Sequence, residues 1–193
     1  LMRALHTGLI RNGGVCLSNS PVSDIRKNGS TINVSTPKDN FECQRLVLAA
    51  GLANAGLAPM VGLEQSVTPQ KGQIVITEKL DQQLPLPTLL LRQTDEGGLM
   101  IGDSHEDSGF DTSVSPDVVS GIADRALATL PARADVGVVR SWAALRVLSK
   151  DGYPIYGQSE TMSGAFAISC HRGVPLSAAH AVDRAGSVGE GGW

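Results

Sequence analysis

Residues 46–51 read Leu46-Val47-Leu48-Ala49-Ala50-Gly51, three large aliphatic residues followed by three of the smallest. A short apolar run bounded by turn residues predicts a buried strand. Its Ala-Ala-Gly end leaves no side chain in the way of another backbone or a flat ligand. Upstream, Asn28-Gly29 stands between Asp24-Ile25-Arg26 and Thr31-Ile32-Asn33-Val34, the strongest short hairpin signal in the chain. Pro37-Lys38-Asp39-Asn40 marks a second turn. Residues 22–48 therefore read as a three-stranded antiparallel meander whose last strand ends in the 46–51 run.

Working outward, Gln73-Ile74-Val75-Ile76-Thr77 predicts a strand, and residues 89–92 and 99–102 predict two more joined by the turn Asp95-Glu96-Gly97-Gly98. Ser115-Pro116-Asp117 opens a helix, with a capping serine, proline at the first helical position and an acid in the first turn. Val118, Val119, Ile122, Ala126, Leu127 and Leu130 share its apolar face, and Pro131 ends it. Residues 136–148 are strand-like, Asp151-Gly152 is a turn, Phe166-Ala167-Ile168-Ser169 is a strand, and a helix begins near Gly173. Leu1, Leu5, Leu9 and Ile10 have helical spacing up to Gly13-Gly14, so the chain opens in mid-helix. With no internal repeat, the expected fold class is α+β, with a mixed, largely antiparallel sheet and flanking helices.

At 193 residues and 20.1 kDa the chain is large enough for one well-buried core. A 41% hydrophobic content with only 18% charged residues excludes global disorder. Aromatic residues at 4% and a net charge of −3 argue against a nucleic-acid partner. The 22 glycines favour tight turns and close backbone approaches over a helical bundle. Cys16, Cys43 and Cys170 are odd in number and form no C-x-x-C pair, so neither a disulfide framework nor a zinc site is expected, and a reducing, cytoplasmic compartment is. No apolar run is long enough to span a membrane, and residues 1–3 do not begin a signal peptide.

Three clusters are candidates for chemistry. Cys170-His171-Arg172 stands where a strand meets a helix. Adjacent strand residues face opposite ways, which makes a Cys–His nucleophile awkward. The alternatives are an anion-attracting helix start near Gly173, to which Arg172 adds charge, or a plain structural turn. Arg140, Trp142 and Arg146 share strand parity, so one face of a regular strand carries all three. They serve either a substrate carboxylate beside an apolar pocket or a solvated edge strand. Asp103, His105, Glu106, Asp107 and Asp111 match no metal-ligand template and read as a solvated acidic loop. His6 and His180 read as structural.

Several of these segments, taken in order, resemble the D-amino-acid oxidase/glycine oxidase type of FAD-dependent oxidoreductase. The meander with Leu46-Val47-Leu48-Ala49-Ala50-Gly51 is followed by Val67-Thr68-Pro69-Gln70-Lys71-Gly72-Gln73. Trp142-Ala143-Ala144-Leu145-Arg146-Val147 with Asp151-Gly152-Tyr153-Pro154-Ile155-Tyr156-Gly157 is similar to that family's W-x-G-L-R-P…D-G-x-P-x-x-G block. Cys170-His171-Arg172-Gly173-Val174-Pro175-Leu176, then Ala178-Ala179-His180, resembles its final flavin-facing loop and helix and looks most like the hydrogen cyanide synthase and opine oxidase branch. The resemblance extends to about residue 182.

It implies FAD as cofactor and oxidation of a small amino-acid-like or opine substrate, with hydride leaving Cα to give an imine that water hydrolyses. Arg146 would bind the substrate carboxylate. Val22 would meet the adenine side of FAD through its backbone, and Ala49, Ala50 and Gly51 would pack along the dinucleotide. Arg172, Gly173, Val174, Pro175 and Leu176 would form the flavin loop, with backbone N–H groups from 173–176 on the flavin edge. No metal is implied.

Residues 1–193 would be the C-terminal portion of such an enzyme: 15–51 the meander and cofactor-framework strand, 67–148 the substrate-binding region, 149–184 the flavin-facing loop and helix. The family's G-x-G-x-x-G turn, which seats the dinucleotide phosphates, is not in the sequence. FAD binding by this chain alone is therefore expected to be weak. Arg172 and Pro175 also differ from the small or hydroxyl residues of the family loop, and residues 185–193 look unlike its helical continuation. A non-catalytic binding or assembly module is the alternative function, and a homo-oligomer or a complex with partner subunits is the expected association.

Overall fold

The computed structural model describes residues 1–131, 135–171 and 173–190. Strands β1 (Asp24–Asn28), β2 (Thr31–Ser35) and β3 (Asn40–Cys43) form the antiparallel meander. Asn28 pairs with Thr31, so Gly29-Ser30 are the two loop residues, and of these only Gly29 has positive φ. That pattern belongs to a type II′ turn, with Asn28 the last ladder residue rather than part of the loop.

The meander ends at Cys43, not in the 46–51 run. Strand β4 (Leu46–Leu48) pairs in parallel with β10 (Ala165–Ser169), whose other edge pairs antiparallel with β9 (Ile155–Gln158). Gly164 lies against the Gln44 carbonyl, too close for any side chain, and its own carbonyl accepts the Leu46 N–H at 2.9 Å. This crossing redirects the chain from one sheet to the next. Ala165, Phe166 and Ala167 are completely buried, as expected for a strand covered on both faces.

The third sheet contains β5 (Val67–Lys79), β6 (Leu91–Gln93), β7 (Gly98–Ile101) and β8 (Val138–Ser149), antiparallel in the order β6-β7-β5-β8. The fold class is α+β as expected, and among the described residues the strands divide into three sheets instead of one, with one parallel strand pair. β5 starts well before Gln73. Its pairing with β7 begins only at Val75, so at Pro69 β8 is its one ladder partner and a missing N–H is tolerated.

Helix α3 (Pro116–Thr129) follows the expected pattern except at its cap. Ser115 makes no side-chain capping bond; its backbone N–H goes to Gln73 Oε1 at 3.0 Å. Ile122 and Ala126 are buried against Val75, Leu91, Leu99 and Ile101, forming one core. A second core lies between the meander and β4/β10, around Ile25, Ile32, Val34, Leu48 and Ala167.

Helix α1 (Met2–Arg11) buries no residue and leaves Met2, Leu5, Leu9 and Ile10 exposed. A short helix α2 (Asn54–Leu57) follows β4. After β10 come α4 (Gly173–Ala179), a π-helical turn at His180–Arg184 and α5 (Ala185–Glu190), so the helical continuation missing from the sequence pattern is present. No described helix is long and apolar enough to cross a membrane.

Because Ile122 is fully buried between α3 and the sheet, Ile122→Ala is expected to cost about 2–5 kcal/mol of unfolding free energy. Urea denaturation of the two proteins checks this.

Candidate active site

Gln70, Gly72, Ile74 and Ile76 of β5 stand opposite Arg146, Ala144, Trp142 and Arg140 of β8, and the intervening Val75 faces α3. These eight residues therefore occupy the sheet face that α3 leaves open, and the expected shared face of Arg140, Trp142 and Arg146 is realised. Arg140 is exposed, its guanidinium 5.7 Å from the centre of the Trp142 ring. Arg146 is half-buried, so the solvated-edge alternative does not describe it. Its guanidinium folds back over Gly72, where an added Cβ would come within 2.5–2.6 Å of three of its atoms. Arg146 Nη1 donates to the Ser104 carbonyl at 2.8 Å, and no carboxylate among the described residues pairs with it.

The Ser104 carbonyl is placed by a bulge. After β7 the chain leaves the ladder and rejoins β5 where Lys71 and Glu106 exchange two backbone hydrogen bonds of 2.9 Å. Between them the Ser104 hydroxyl oxygen accepts the Gln73 N–H at 2.7 Å, and Asp103 takes φ +78. A non-glycine residue held at positive φ is strained and persists only where its surroundings impose it. His105 links Gln70 Oε1 and Asp103 Oδ1, each at 3.0 Å, beside the Gln70–Arg146 pair.

The loop is solvated at His105, Asp107 and Asp111, as expected, but Lys71 draws Glu106 and Asp111 into a clamp. Lys71 is 4% exposed, and its Nζ lies 2.8 Å from Asp111 and 3.5 Å from Glu106, with the Ser113 carbonyl accepting at 3.2 Å. Glu106 also accepts both Gln73 Nε2 hydrogen bonds, at 3.0 and 2.9 Å. The hydrogen bond from Lys71, reinforced by the Ser113 N–H and hydroxyl, holds the Asp111 carboxyl far below the usual carboxylate range. The same Asp111 bond pushes the Lys71 ammonium upward against the effect of burial. Among the described residues no group of side chains is arranged to hold a metal ion.

A second set of expected residues meets at the ends of β4, β8 and β10. Asn54, fully buried, donates to the Leu48 carbonyl (3.1 Å), the Ile168 carbonyl (2.9 Å) and Ser169 Oγ (3.0 Å), while its Oδ1 accepts the Ala50 N–H at 3.1 Å. It ties Ala49-Ala50-Gly51 to the end of β10, just before Gly173. Gly51 takes φ +60, with its Cβ position 3.4 Å from Val147 Cγ2. His171 Nδ1 donates to the Val147 carbonyl at 2.9 Å, so this imidazole braces a strand instead of activating the Cys170 thiol.

Ala49 and Ala50 are exposed and nothing approaches the Cβ position of Gly173. Val174, Pro175 and Leu176 lie in the seven-residue α4, where Pro175 has no N–H, so only the other three of residues 173–176 carry donors. Val22 packs, partly buried, against the core beneath the meander. Arg172 lies outside the described residues.

Sequence reasoning passed over Asn54, Gln70, Gly72, Ser104 and the Lys71 clamp. Asn54 had one visible signal, a polar side chain inside Leu52-Ala53-Asn54-Ala55-Gly56-Leu57 directly after Ala-Ala-Gly.

The family model for FAD dependent oxidoreductases, DAO, matches residues 1–185. The chain is 44% identical over 191 residues to an opine oxidase subunit of Agrobacterium tumefaciens (strain Ach5), covering 99% of this chain and 52% of that protein. It is 32% identical over 171 residues to the hydrogen cyanide synthase subunit HcnC of Pseudomonas protegens, covering 85% and 41%. The crystal structure of glycine oxidase from Geobacillus kaustophilus superposes with a TM-score of 0.87 at 26% identity, covering 97% of this chain and 53% of that one. The chain thus spans about half the length of the curated relatives it matches.

The clamp makes stability depend on pH in a definite direction. The Asp111 carboxyl is depressed in the fold, so its contribution is present above the ordinary carboxyl range of about 4 and is lost as pH falls through the folded value. The Lys71 ammonium is raised, so its contribution is present below about 10.4 and is lost above it. Calorimetry of wild type and Asp111→Asn is expected to give a Tm gap that is widest near neutral pH and closes at both extremes.

Proposed function

Because the chain belongs to the DAO family of FAD dependent oxidoreductases, we propose that it carries the substrate-binding sheet and one edge of the cofactor site of an enzyme oxidising the C–N bond of an amino acid or opine. The observation that carries this is Arg146: half-buried, without a carboxylate partner among the described residues, and seated over a glycine. A guanidinium has five donors, and the Ser104 carbonyl takes only one. The remaining donors suit bidentate capture of a carboxylate. Gly72 keeps the space that the guanidinium occupies, and the bulge through Ser104 stops it from turning away.

The neighbouring edge fits a flat cofactor. Ala49 and Ala50 are small and exposed, Gly51 sits at positive φ against Val147, and Gly173 has open space beside its backbone. These residues, with the backbone N–H groups of Gly173, Val174 and Leu176, would line FAD. Pro175 would shape the loop, Arg172 would add charge, and the Val22 backbone would serve the adenine end. When bound, FAD supplies the acceptor for the hydride of the substrate Cα–H bond. The protein's own part would be to fix the carboxylate through Arg146 and so hold Cα for that transfer. By this reading residues 15–51 belong to the cofactor framework, 67–148 to the substrate region and 149–184 to the flavin-facing loop and helix.

The exposed apolar residues of α1 support association with a second copy or another subunit, in line with the opine oxidase and hydrogen cyanide synthase relatives, each of which is a subunit of its enzyme. The three free thiols support a reducing, cytoplasmic setting.

Arg146→Leu is expected to weaken the binding of an amino-acid carboxylate about a hundredfold, the loss of two charge-assisted hydrogen bonds. A value within twofold of wild type would remove Arg146 from the site. Sedimentation velocity is expected to show species heavier than the 20.1 kDa monomer.

A further inference from the structure

We propose that the cleft between the tip of the β1–β2 hairpin and the turn before β10 binds a phosphate group, free or carried as a monoester on a small polar molecule. The cleft has a volume of about 380 Å³. Gln44-Arg45 and Ser163-Gly164 line it, and these residues immediately precede β4 and β10. The two strands run parallel, so Ala49-Ala50-Gly51 and Gly173 follow them at the opposite end. The cleft is thus separate from the candidate cofactor edge. None of its residues belongs to the sheet that carries Arg146.

The meander places a cation on the face that otherwise builds the core. Lys27 stands directly opposite Ile32, which in turn pairs with Cys43, so all three share one face. Ile32 is buried there and Cys43 packs against the same core, whereas Lys27, on the edge strand, is exposed and reaches the cleft. Arg45 enters from the other wall. Its Nη1 donates to the Val188 carbonyl of α5 at 2.7 Å, which fixes the guanidinium and uses one of its five donors. Ser30, Gln44 and Ser163 add two hydroxyls and a carboxamide.

Among the described residues no carboxylate lines the cleft or pairs with either cation, and the side chains of Lys27, Ser30, Gln44 and Ser163 have no hydrogen-bond partner. Glu42 of β3 alternates to the outer face of the meander with Asn33, where the Thr31 hydroxyl engages it. Donors from three segments far apart in sequence therefore converge without an acid to neutralise them. Two positive charges match a phosphate dianion, whose oxygens accept several charge-assisted hydrogen bonds at once. The volume falls in the range of small-molecule sites, about 300–1,000 Å³, and leaves room for a polar body beside Gln44 and the serines.

The test is isothermal titration of the protein with inorganic phosphate, glucose 6-phosphate and glucose, at low ionic strength because salt screens exposed charges. Saturable binding of at least one of the two phosphates is expected, and none of glucose. Lys27→Gln is expected to weaken that binding about tenfold, the loss of one charge-assisted hydrogen bond. Arg45→Gln is expected to weaken it at least as much, and Lys27→Arg to keep most of it. Lys27 has no partner in the fold, so its variants are expected to keep the wild-type circular dichroism and Tm. Tighter binding of the ester assigns the cleft to a phosphorylated molecule, and equal or tighter binding of inorganic phosphate assigns it to the free anion. Binding of neither phosphate, or binding unchanged in Lys27→Gln, overturns the proposal.

Discussion

A lysine ammonium buried in the longest strand cannot be left alone, because a charge taken out of water needs a partner. Lys71 meets that requirement with Asp111 and Glu106, and much of the site follows from it. Both carboxylates come from the segment between β7 and α3, so neutralising Lys71 straps that segment against β5. Glu106 returns to the β5 ladder, Gln73 is held at both ends of its amide, and its Oε1 takes the N–H at the start of α3. The strap also forces the bulge from which the Ser104 carbonyl reaches Arg146. A charge buried on one side of the sheet thus governs the pose of a charge on the other.

Asn54 has the corresponding role at the second edge. Parallel strands β4 and β10 end side by side, and a strand end leaves carbonyl and N–H groups without ladder partners. One buried carboxamide satisfies groups from both strands and from Ala50. The small residues 49–51 and the start of α4 consequently form one edge, and Gly51 and His171 bring it to Val147, the residue after Arg146. The two hydrogen-bond systems act at neighbouring residues of β8, Arg146 and Val147.

Local features were legible wherever one short segment carried the whole signal. Asn28-Gly29 marked a hairpin, and Pro116 with the Val118–Leu130 spacing marked a helix and its buried face. The parity of Arg140, Trp142 and Arg146 required only that the strand be regular over those residues. Reading failed where a distant segment decided. Leu46-Val47-Leu48 continued the meander by pattern, yet the close crossing with Gly164 sends it to β10. The strand expected from Gln73 starts six residues earlier, because β5 runs through Pro69, which has no β7 neighbour, and Gly72, which lies beneath a guanidinium. Asp111 is exposed and Glu106 partly buried, and nothing nearby in sequence announces that a buried lysine some 40 residues upstream pairs with both.

By itself, then, the sequence determined the element types, the α+β class, the family and the candidate residues on β8 and around Ala49-Ala50-Gly51 and Gly173. These follow from spacing, residue size and turn chemistry, which act over a few bonds. Only the tertiary structure decided that the strands divide among three sheets, that Arg146 is half-buried without a carboxylate while Arg140 stands exposed on the same face, and that Lys71 and Asn54 hold the two edges together. Those outcomes depend on burial and on hydrogen bonds between segments far apart in the chain, whose energies arise only when the segments meet.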